Sequence, residues 1–407
     1  MNIALVSAEY PPETDFGGLG SYTYKLAHAL SALGSRVTVV SSSVKGDAVT
    51  AHPDGPVMVY RVPKPRQWLM GLDRSVGDIV YSYRVHRVLE RLIQQDGLDV
   101  IQFPEYRGEG LAHCFLGHTP YVVRFSTPRW LVNELNRTRR AGPRTLINHA
   151  IDRWVENTPA RRGRALIFPS RDLMNLMTGR IRLRGACRVV YPGIDTERFK
   201  PCQDPNLRRR YGIGDGPVIL YVGRLELRKG VHVLAEAAVG IAQRFPAARF
   251  VFAGGDTKSA PGGGSMRAYL ERLVRQHGIE HAVTFLGGVG HQDVATIYGL
   301  GDILVVPSIY ENLANVLIEG MAAGLPIVTT SGGGSPEVVT HGTNGLVVPP
   351  GNAKALADAI SDLLADPQVR DCYGQNNRKK ALEDLSLERM ARETLAVYSD
   401  LLTARKR

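Results

Sequence analysis

Short apolar runs alternate with longer segments of helical periodicity, and this alternation occurs in both halves of the 407-residue chain. Runs such as 37–41 and 218–222 are rich in β-branched residues, too short for core helices and followed by glycine or polar loops. Strand–helix–strand succession favours parallel strands, with helices covering both faces of the sheet. The pattern therefore predicts an α/β protein made of two Rossmann-like, doubly wound domains.

The boundaries follow from the same pattern. We predict strands at 3–7, 37–41, 57–61, 100–103, 121–125, 165–169 and 189–191, and then at 218–222, 249–253, 283–286, 303–306, 327–329 and 345–348. Helices are predicted at 22–33, 78–94, 230–244, 266–277, 294–299 and 314–323. Because Pro192, Gly193 and Pro201 interrupt the pattern, we predict an N-terminal domain at 1–191 and a C-terminal domain at 192–385. Residues 386–407 are expected to form an amphipathic helix that packs back on the first domain.

Composition excludes several classes of protein. Hydrophobic residues make up 44% of the chain and charged residues 22%, which is typical of a globular protein and not of a disordered one. No apolar run approaches the ~18–20 residues that cross a bilayer, and no basic leader precedes the apolar N-terminus. The four Cys residues include no CxxC pair, so neither a zinc site nor a disulfide framework is predicted from them. We therefore expect a cytoplasmic protein with reduced thiols.

The net charge of +11 is concentrated in one segment. Residues 129–188 contain 14 Arg, no Lys and 4 acidic residues, a balance of 14 − 4 = +10. Such a segment indicates an anionic partner, for which an acidic membrane at the inner face or a lipid-linked acceptor is our hypothesis. A solvated arginine-rich surface stays open as the alternative. Nucleic acid is not predicted, because the segment contains no recognisable nucleic-acid module.

Two glycine-containing loops are expected to follow strands and precede helices. The first, residues 16–21, includes Gly18 and Gly20, whose backbone N–H groups could approach a phosphate or a sugar. The second, residues 223–230, contains Arg224 and Lys229 at the end of a predicted strand. Two cations there suit a diphosphate and can stabilise the negative charge that develops on a leaving nucleotide.

A pair of glutamates follows the predicted strand at 303–306. Glu311 lies in the loop and can face a sugar, whereas Glu319 lies in the next helix and can accept both hydroxyls of a ribose. Backbone N–H groups of Asn312, Leu313 and Ala314 at the helix start would face a phosphate. After the next strand, the glycine-rich loop 331–337 could wrap around a ligand or form a simple turn.

These motifs resemble those of retaining glycosyltransferase family 4, which has the GT-B fold with an interdomain cleft, over essentially the full length of the chain. The matching residues are Gly17-Gly18-Leu19-Gly20, the linker 192–199, Gly223-Arg224-Leu225 with Lys229-Gly230, Glu311-x7-Glu319, and Gly332-Gly333 with Pro336-Glu337. The resemblance implies that a nucleotide-sugar donor binds the C-terminal domain and an acceptor binds the N-terminal one.

The resemblance also implies roles for single residues. Arg224 and Lys229 would bind the donor diphosphate, Glu319 would hold the ribose, and Glu311 would lie beside the donor sugar at the reaction centre. Backbone around Leu286 would border the base, and Gly18 and Gly20 would close over the phosphates. No Asp-x-Asp motif occurs in the chain, so we expect no metal ion and no cofactor, with protein cations replacing a divalent ion.

The chain departs from the family pattern at three places. Ser126 stands where members commonly have a histidine near the donor sugar, and Asn312 to Ala314 replace the usual Gly-Phe-Gly after Glu311. Pro192 stands where asparagine is common. On the acceptor side, Glu105, Tyr106 and Arg107 follow a predicted strand, and we expect them to face the cleft together with Ser126; a purely structural loop remains the alternative.

The prediction is therefore a metal-independent retaining hexosyltransferase. It would move a sugar from a UDP- or GDP-linked donor to a hydroxyl acceptor in polysaccharide, glycolipid or other glycoconjugate synthesis. Two alternatives remain open: a nucleotide-sugar epimerase of the same fold, which would need no acceptor, and a non-catalytic nucleotide-sugar binding protein.

Overall fold

A computed structural model describes residues 1–14, 17–65, 74–135, 143–202, 205–290 and 292–406. The chain forms two compact units, the first containing Met1–Glu134, Arg139–Gly193 and Leu387–Arg407, and the second containing Ile194–Ser386. The chain thus passes from one unit to the next two residues after the predicted boundary, and returns to the first unit within two residues of the predicted one. Phe16 of the first glycine loop and part of the arginine-rich segment lie outside the described residues.

The first unit contains an eight-stranded sheet in the order β3-β4-β2-β1-β5-β6-β7-β8. Its strands are β1 Asn2–Val6, β2 Arg36–Ser43, β3 Thr50–Asp54, β4 Val57–Pro63, β5 Val100–Pro104, β6 Tyr121–Arg124, β7 Ala165–Phe168 and β8 Ala186–Val189. Its helices up to the linker are α1 Gly18–Ala32, α2 Arg74–Asp96, α3 Leu111–Leu116, α4 Arg129–Leu135, α5 Pro143–Arg162 and α6 Arg171–Arg180.

The second unit contains a six-stranded, wholly parallel sheet in the order β11-β10-β9-β12-β13-β14. Its strands are β9 Val218–Val222, β10 Arg249–Ala253, β11 Val283–Gly287, β12 Ile303–Val306, β13 Ile327–Thr330 and β14 Gly345–Val348. Its helices are α7 Pro205–Arg210, α8 Val231–Arg244, α9 Met266–Gln276, α10 Val294–Ile297, α11 Asn315–Ala322, α12 Ala353–Ala365 and α13 Pro367–Asp384. Counted from β9, the strand order is 3-2-1-4-5-6, the order of a dinucleotide-binding fold.

Burial explains why these segments became strands. Every residue of β9, β12 and β13 is buried, as expected for parallel strands covered on both faces. Helices α8 and α12 place residues such as Leu234, Ile241 and Ile360 in one hydrophobic core with these strands. The central strands are therefore held rigidly, and their carboxyl ends are fixed points from which the site loops depart.

The C-terminal helix α14, Leu387–Lys406, belongs to the first unit. Met390, Tyr398 and Leu401 lie in the same core cluster as Ile3 of β1. The Tyr398 hydroxyl donates a hydrogen bond of 2.9 Å to Gln102 Oε1 in β5. Among the described residues, no helix combines the length and the apolar character needed to cross a membrane.

Three differences from the predicted elements have a clear physical reason. The antiparallel edge strand β3 was not predicted, because it is largely exposed and contains Pro53, which only an edge strand tolerates well. Strand β8 lies at Ala186–Val189, earlier than the predicted 189–191, because it alternates between exposed and half-buried residues. Helix α1 begins at Gly18, so Gly18 and Gly20 form its first turn and do not lie in a loop.

Candidate active site

The predicted donor motifs of the second unit meet where its strand order reverses. Strands β9 and β12 are neighbours, and the chain continues from β9 to β10 on one side and from β12 to β13 on the other. The loop after β9 contains Arg224 and Lys229, and the loop after β12 contains Glu311. Ligands of parallel α/β sheets bind outside the carboxyl ends of the strands at this switch point.

Glu311 is the centre of this site. Its carboxylate Oε2 accepts a hydrogen bond of 2.8 Å from Arg228 and a short ion-pair contact from Lys229 Nζ. Burial by itself would raise the pKa of Glu311, but the charges of Lys229 and Arg228 outweigh it and lower the pKa to about 2. Glu311 is therefore ionised throughout the physiological pH range.

Arg224 extends the ion pairs toward solvent. Its guanidinium lies 3.0 Å from Glu226 Oε2, and Glu226 in turn lies 3.6 Å from Arg228 Nε. The Arg224 side chain is 65% exposed, whereas that of Arg228 is only 6% exposed. Three cations and two carboxylates thus form one row with a surplus positive charge, and Arg224 is its accessible end. This row brings together all three predicted catalytic residues.

Backbone contacts hold the Glu311 loop in place. Glu311 donates from its backbone N to the Gly332 carbonyl at 3.0 Å and accepts from Gly334 N at 3.0 Å. Gly333 has φ +105°, and a Cβ there would lie 2.0 Å from the Glu311 carbonyl oxygen. The sequence left two roles open for the glycine-rich loop 331–337, a loop wrapped around a ligand or a simple turn. In the structure this loop supports Glu311 through close backbone packing.

Gly230 brings the first donor loop equally close to β12. It caps the start of α8 at φ +67°, and a Cβ there would lie 1.9 Å from the Pro307 carbonyl oxygen. Ile309 N donates to the Arg228 carbonyl at 2.8 Å across the same contact. Only glycine permits this approach, and the approach sets Lys229 beside Glu311.

Glu319 is held separately from the ion-pair row. It lies on α11 and accepts a hydrogen bond of 2.6 Å from the Tyr298 hydroxyl to Oε2. Burial, the Glu319 charge and this hydrogen bond all raise the pKa of Tyr298, so Tyr298 remains a hydrogen-bond donor. The half-buried Glu319 carboxylate is thereby held in one orientation.

The other residues that were predicted to contact the donor differ in burial and in hydrogen bonding. Leu313 N donates to Asn312 Oδ1 at 2.6 Å, so this amide would have to exchange that partner for a phosphate oxygen. The phosphate contacts of Asn312, Leu313 and Ala314 stay a prediction. Leu286 lies half-buried in β11. In the first unit, Gly18 is exposed and Gly20 is buried in the first turn of α1, where the leading N–H groups of a helix have no intrahelical partner.

The structure corrects the expectation that Glu105 faces an acceptor. Its side chain is completely buried and accepts hydrogen bonds from Ser126 N at 2.8 Å and from Ser126 Oγ at 2.9 Å. Burial raises the pKa of Glu105 to about 7 in spite of these hydrogen bonds. Glu105 is therefore a residue that positions Ser126, which is half-buried beside it.

Tyr106 and Arg107 are half-buried in a short 3-10 turn after β5. Arg107 adopts φ +59°, unusual for a residue other than glycine, and its backbone N donates to Glu156 Oε1 at 3.1 Å. Its guanidinium lies 5.7 Å from the Tyr106 ring centre. Backbone strain of this kind is a feature of functional loops, and these two side chains remain candidates for acceptor contact.

Several arginines of segment 129–188 pair within the first unit. Arg129 contacts three carboxylates, those of Asp78, Asp152 and Glu156. Arg153 stacks 4.5 Å over the Trp130 ring. The segment is therefore less free to attract an anionic partner than its net charge of +10 suggests.

Sequence reasoning missed two residues of the site. Arg228 lies inside the predicted loop, but only its buried contact with Glu311 distinguishes it from a surface cation. Tyr298 follows α10 in a 3-10 turn, far in sequence from Glu319, and no local pattern links the two. Both belong to the site because of tertiary packing.

Two α/β units, the second with a dinucleotide-type strand order and a cation–carboxylate row at its switch point, have the architecture of GT-B glycosyltransferases. Residues 203–380 match the family Glycosyl transferases group 1, and residues 16–198 match Glycosyltransferase Family 4. An uncharacterized glycosyltransferase of Methanocaldococcus jannaschii is 30% identical over 98% of each chain. The chain belongs to glycosyltransferase family 4.

Solved structures agree on the fold. Sucrose-phosphate synthase from Thermosynechococcus elongatus aligns with a TM-score of 0.79 at 24% identity, covering 99% of each chain. Anabaena HepE in complex with UDP-glucose aligns with a TM-score of 0.70 at 20% identity, covering 99% of this chain and 100% of that one. The predicted GT-B fold is confirmed.

Proposed function

We propose that this glycosyltransferase transfers a hexosyl group from a UDP- or GDP-linked sugar to an acceptor hydroxyl with retention at the anomeric carbon, and that the transfer needs no metal ion. The observation that carries the proposal is the row from Arg224 through Arg228 to Lys229 around buried Glu311. A nucleotide diphosphate placed against its exposed end would gain charge-assisted hydrogen bonds. The UDP-glucose bound to HepE supports a uridine donor.

The electrostatics favour a same-face displacement. The bond from the anomeric carbon to the diphosphate oxygen breaks while the acceptor oxygen bonds to the same face, and the acceptor proton passes to the departing diphosphate. Arg224 and Lys229 stabilise the charge that develops on that diphosphate. Glu311, with a pKa of about 2, is too weak a base to take the proton. Its role is to accept hydrogen bonds from the sugar.

Glu319 would hold the ribose, with Tyr298 fixing its orientation. Gly18 and Gly20 would close over the phosphates, and Leu286 would border the base. Tyr106, Arg107 and Ser126 would contact the acceptor. The arginines of 129–188 would favour a lipid-linked acceptor or peripheral contact with an anionic membrane.

A thermal-shift panel of UDP, GDP, ADP and their sugar conjugates tests the donor assignment. A nucleotide present at 100 times its Kd should stabilise the protein by about 2.7 kcal/mol. The shift should occur with one base, disappear in Glu319→Ala, weaken in Tyr298→Phe, and persist in the control Glu280→Ala, whose side chain is exposed in the same unit. Absence of a shift with every nucleotide would contradict the donor assignment, whereas a shift without any sugar transfer would favour the non-catalytic binding protein.

The reaction itself needs a separate measurement. NMR of the product made from an α-linked donor should show an α-linkage, and added Mg²⁺ or Mn²⁺ should leave the rate unchanged. An altered sugar formed without any acceptor would favour the epimerase alternative.

A further inference from the structure

Three metal-binding side chains meet in the helix layer of the first unit, apart from every motif discussed above. His86 and Glu90 lie one turn apart on α2, and His113 lies on α3. One nitrogen or oxygen atom from each lies within 4.8 Å of the other two. His86 and His113 are buried, whereas the Glu90 side chain is 37% exposed.

The two imidazoles present the same ring nitrogen to each other. His86 Nδ1 and His113 Nδ1 are 3.4 Å apart. A tetrahedral zinc ion with bonds of about 2.0–2.1 Å to nitrogen places two such ligands roughly 3.3–3.4 Å apart. The observed separation fits two ligands of one tetrahedral ion, and it also fits a hydrogen bond between the two rings.

The opposite nitrogen of His113 is already engaged. His113 Nε2 lies 3.1 Å from the Thr119 carbonyl oxygen, which can only accept, so the proton of the neutral ring is on Nε2. The Nδ1 lone pair is then directed at the cluster. A metal-binding histidine that donates its other N–H to a backbone carbonyl is the usual arrangement at metal sites.

Glu90 supplies an oxygen that nothing else satisfies. Its Oε1 is buried and accepts no hydrogen bond from any described residue, and it lies 3.8 Å from His86 Nδ1. Because much of the side chain is exposed, a small rotation can bring Oε1 to coordinating distance.

We propose that His86, Glu90 and His113 bind one divalent transition-metal ion, with Zn²⁺ fitting best, and that the ion ties α2 to α3 with water as its fourth ligand. Two imidazole nitrogens and one carboxylate oxygen suit zinc and its neighbours in the first transition row, not Mg²⁺ or Ca²⁺. The role is structural and independent of sugar transfer.

The test is metal titration of the full-length, untagged protein after dialysis against a chelator. We expect one equivalent of Zn²⁺ or Co²⁺ to bind, Co²⁺ to give the visible spectrum of a tetrahedral ion, and the Tm to rise with Zn²⁺ concentration. Glu90→Gln should weaken binding at least tenfold, and His86→Gln should abolish it. His277→Gln, which changes an exposed histidine of the second unit, should behave as wild type.

Folding and donor binding provide the controls. Glu90→Gln changes a partly exposed side chain, so its metal-free Tm should equal that of metal-free wild type. The nucleotide-induced shift should be the same in both. If wild type retains no more metal than His86→Gln, or gains no Tm from Zn²⁺, the proposal is wrong, and the two histidines simply share a hydrogen bond.

Discussion

Two buried glutamates show how environment decides the chemistry of one residue type. Glu311 and Glu105 both follow strands and both lose their water on folding. Lys229 and Arg228 hold the pKa of Glu311 at about 2, whereas burial raises the pKa of Glu105 to about 7, beside a serine. The first is an anion throughout the physiological pH range and pairs with two cations. The second exchanges its proton near neutral pH and orients Ser126.

Replacing Glu311 with glutamine should change how stability depends on pH. A carboxyl with a pKa lowered from 4.5 to about 2 stabilises the fold above pH 4.5, and this contribution is lost as the pH falls towards 2. It amounts to about 3 kcal/mol. Urea unfolding from pH 7 to pH 3 should show more than half of this loss in wild type, and the stability of Glu311→Gln should fall less steeply over the same range. The variant should also be less stable at pH 7, since Arg228 and Lys229 lose their counter-charge.

The control is Glu280→Gln, which removes an exposed carboxylate from the same unit. It should follow the wild-type pH dependence. Equal slopes in Glu311→Gln and wild type would mean that Glu311 has an ordinary pKa in the folded protein.

At the scale of elements, the site depends on loops whose backbones nearly touch. The loop after β9 approaches the loop after β12 at Gly230, and the loop after β13 approaches it at Gly333. Each approach is too close for a Cβ. The cations, Glu311 and the glycine-rich loop are therefore positioned by three strand ends of one rigid sheet.

Gly333→Ala should reduce kcat/KM by about a hundredfold, because a displacement of the Glu311 loop by 1 Å is enough for such an effect. The nucleotide thermal shift should persist, since Glu319 lies on a different element. Gly342→Ala is the matched control, with φ +77° and nothing within 4 Å of its Cβ. Steady-state kinetics of the two variants separate backbone strain from the steric contact. Equal losses of activity would contradict the proposed steric role.

At the scale of the molecule, the C-terminal helix α14 is part of the N-terminal unit. After completing the second unit the chain returns to the first, where α14 contributes Met390, Tyr398 and Leu401 to the core around β1. The first unit therefore cannot complete its core until the last residues of the chain are present.

Leu401→Ala should destabilise the first unit by about 2–5 kcal/mol, the usual cost of removing a buried leucine side chain, since Leu401 is only 7% exposed. Hydrogen exchange should show lost protection in β1 and α1, while β9 and β12 keep theirs. Leu382→Ala changes a leucine that is 46% exposed on α13, and should have little effect. Uniform loss of protection in both units would show that they unfold together.

Sequence periodicity located the central strands of the second unit well. Strands β9 and β12 begin and end where the apolar runs do, because a parallel strand buried on both faces must be apolar throughout. The hydrophobic pattern of edge strands β3 and β8 is weak, because their residues are exposed or only half-buried and need not be apolar. The loops that combine glycine with cations, and the pair Glu311 and Glu319, could also be recognised in the sequence. The residues of each motif lie close together along the chain.

The sequence by itself determined the fold class and carried the loop motifs by which the chain resembles glycosyltransferase family 4. Only the tertiary structure decided that Arg228 completes the Glu311 ion pairs, that Tyr298 orients Glu319, and that Glu105 is buried behind Ser126. The reason is physical. Strands and turns follow from neighbours along the chain, whereas burial, and with it the charge state of a carboxyl group, depends on residues that only folding brings together.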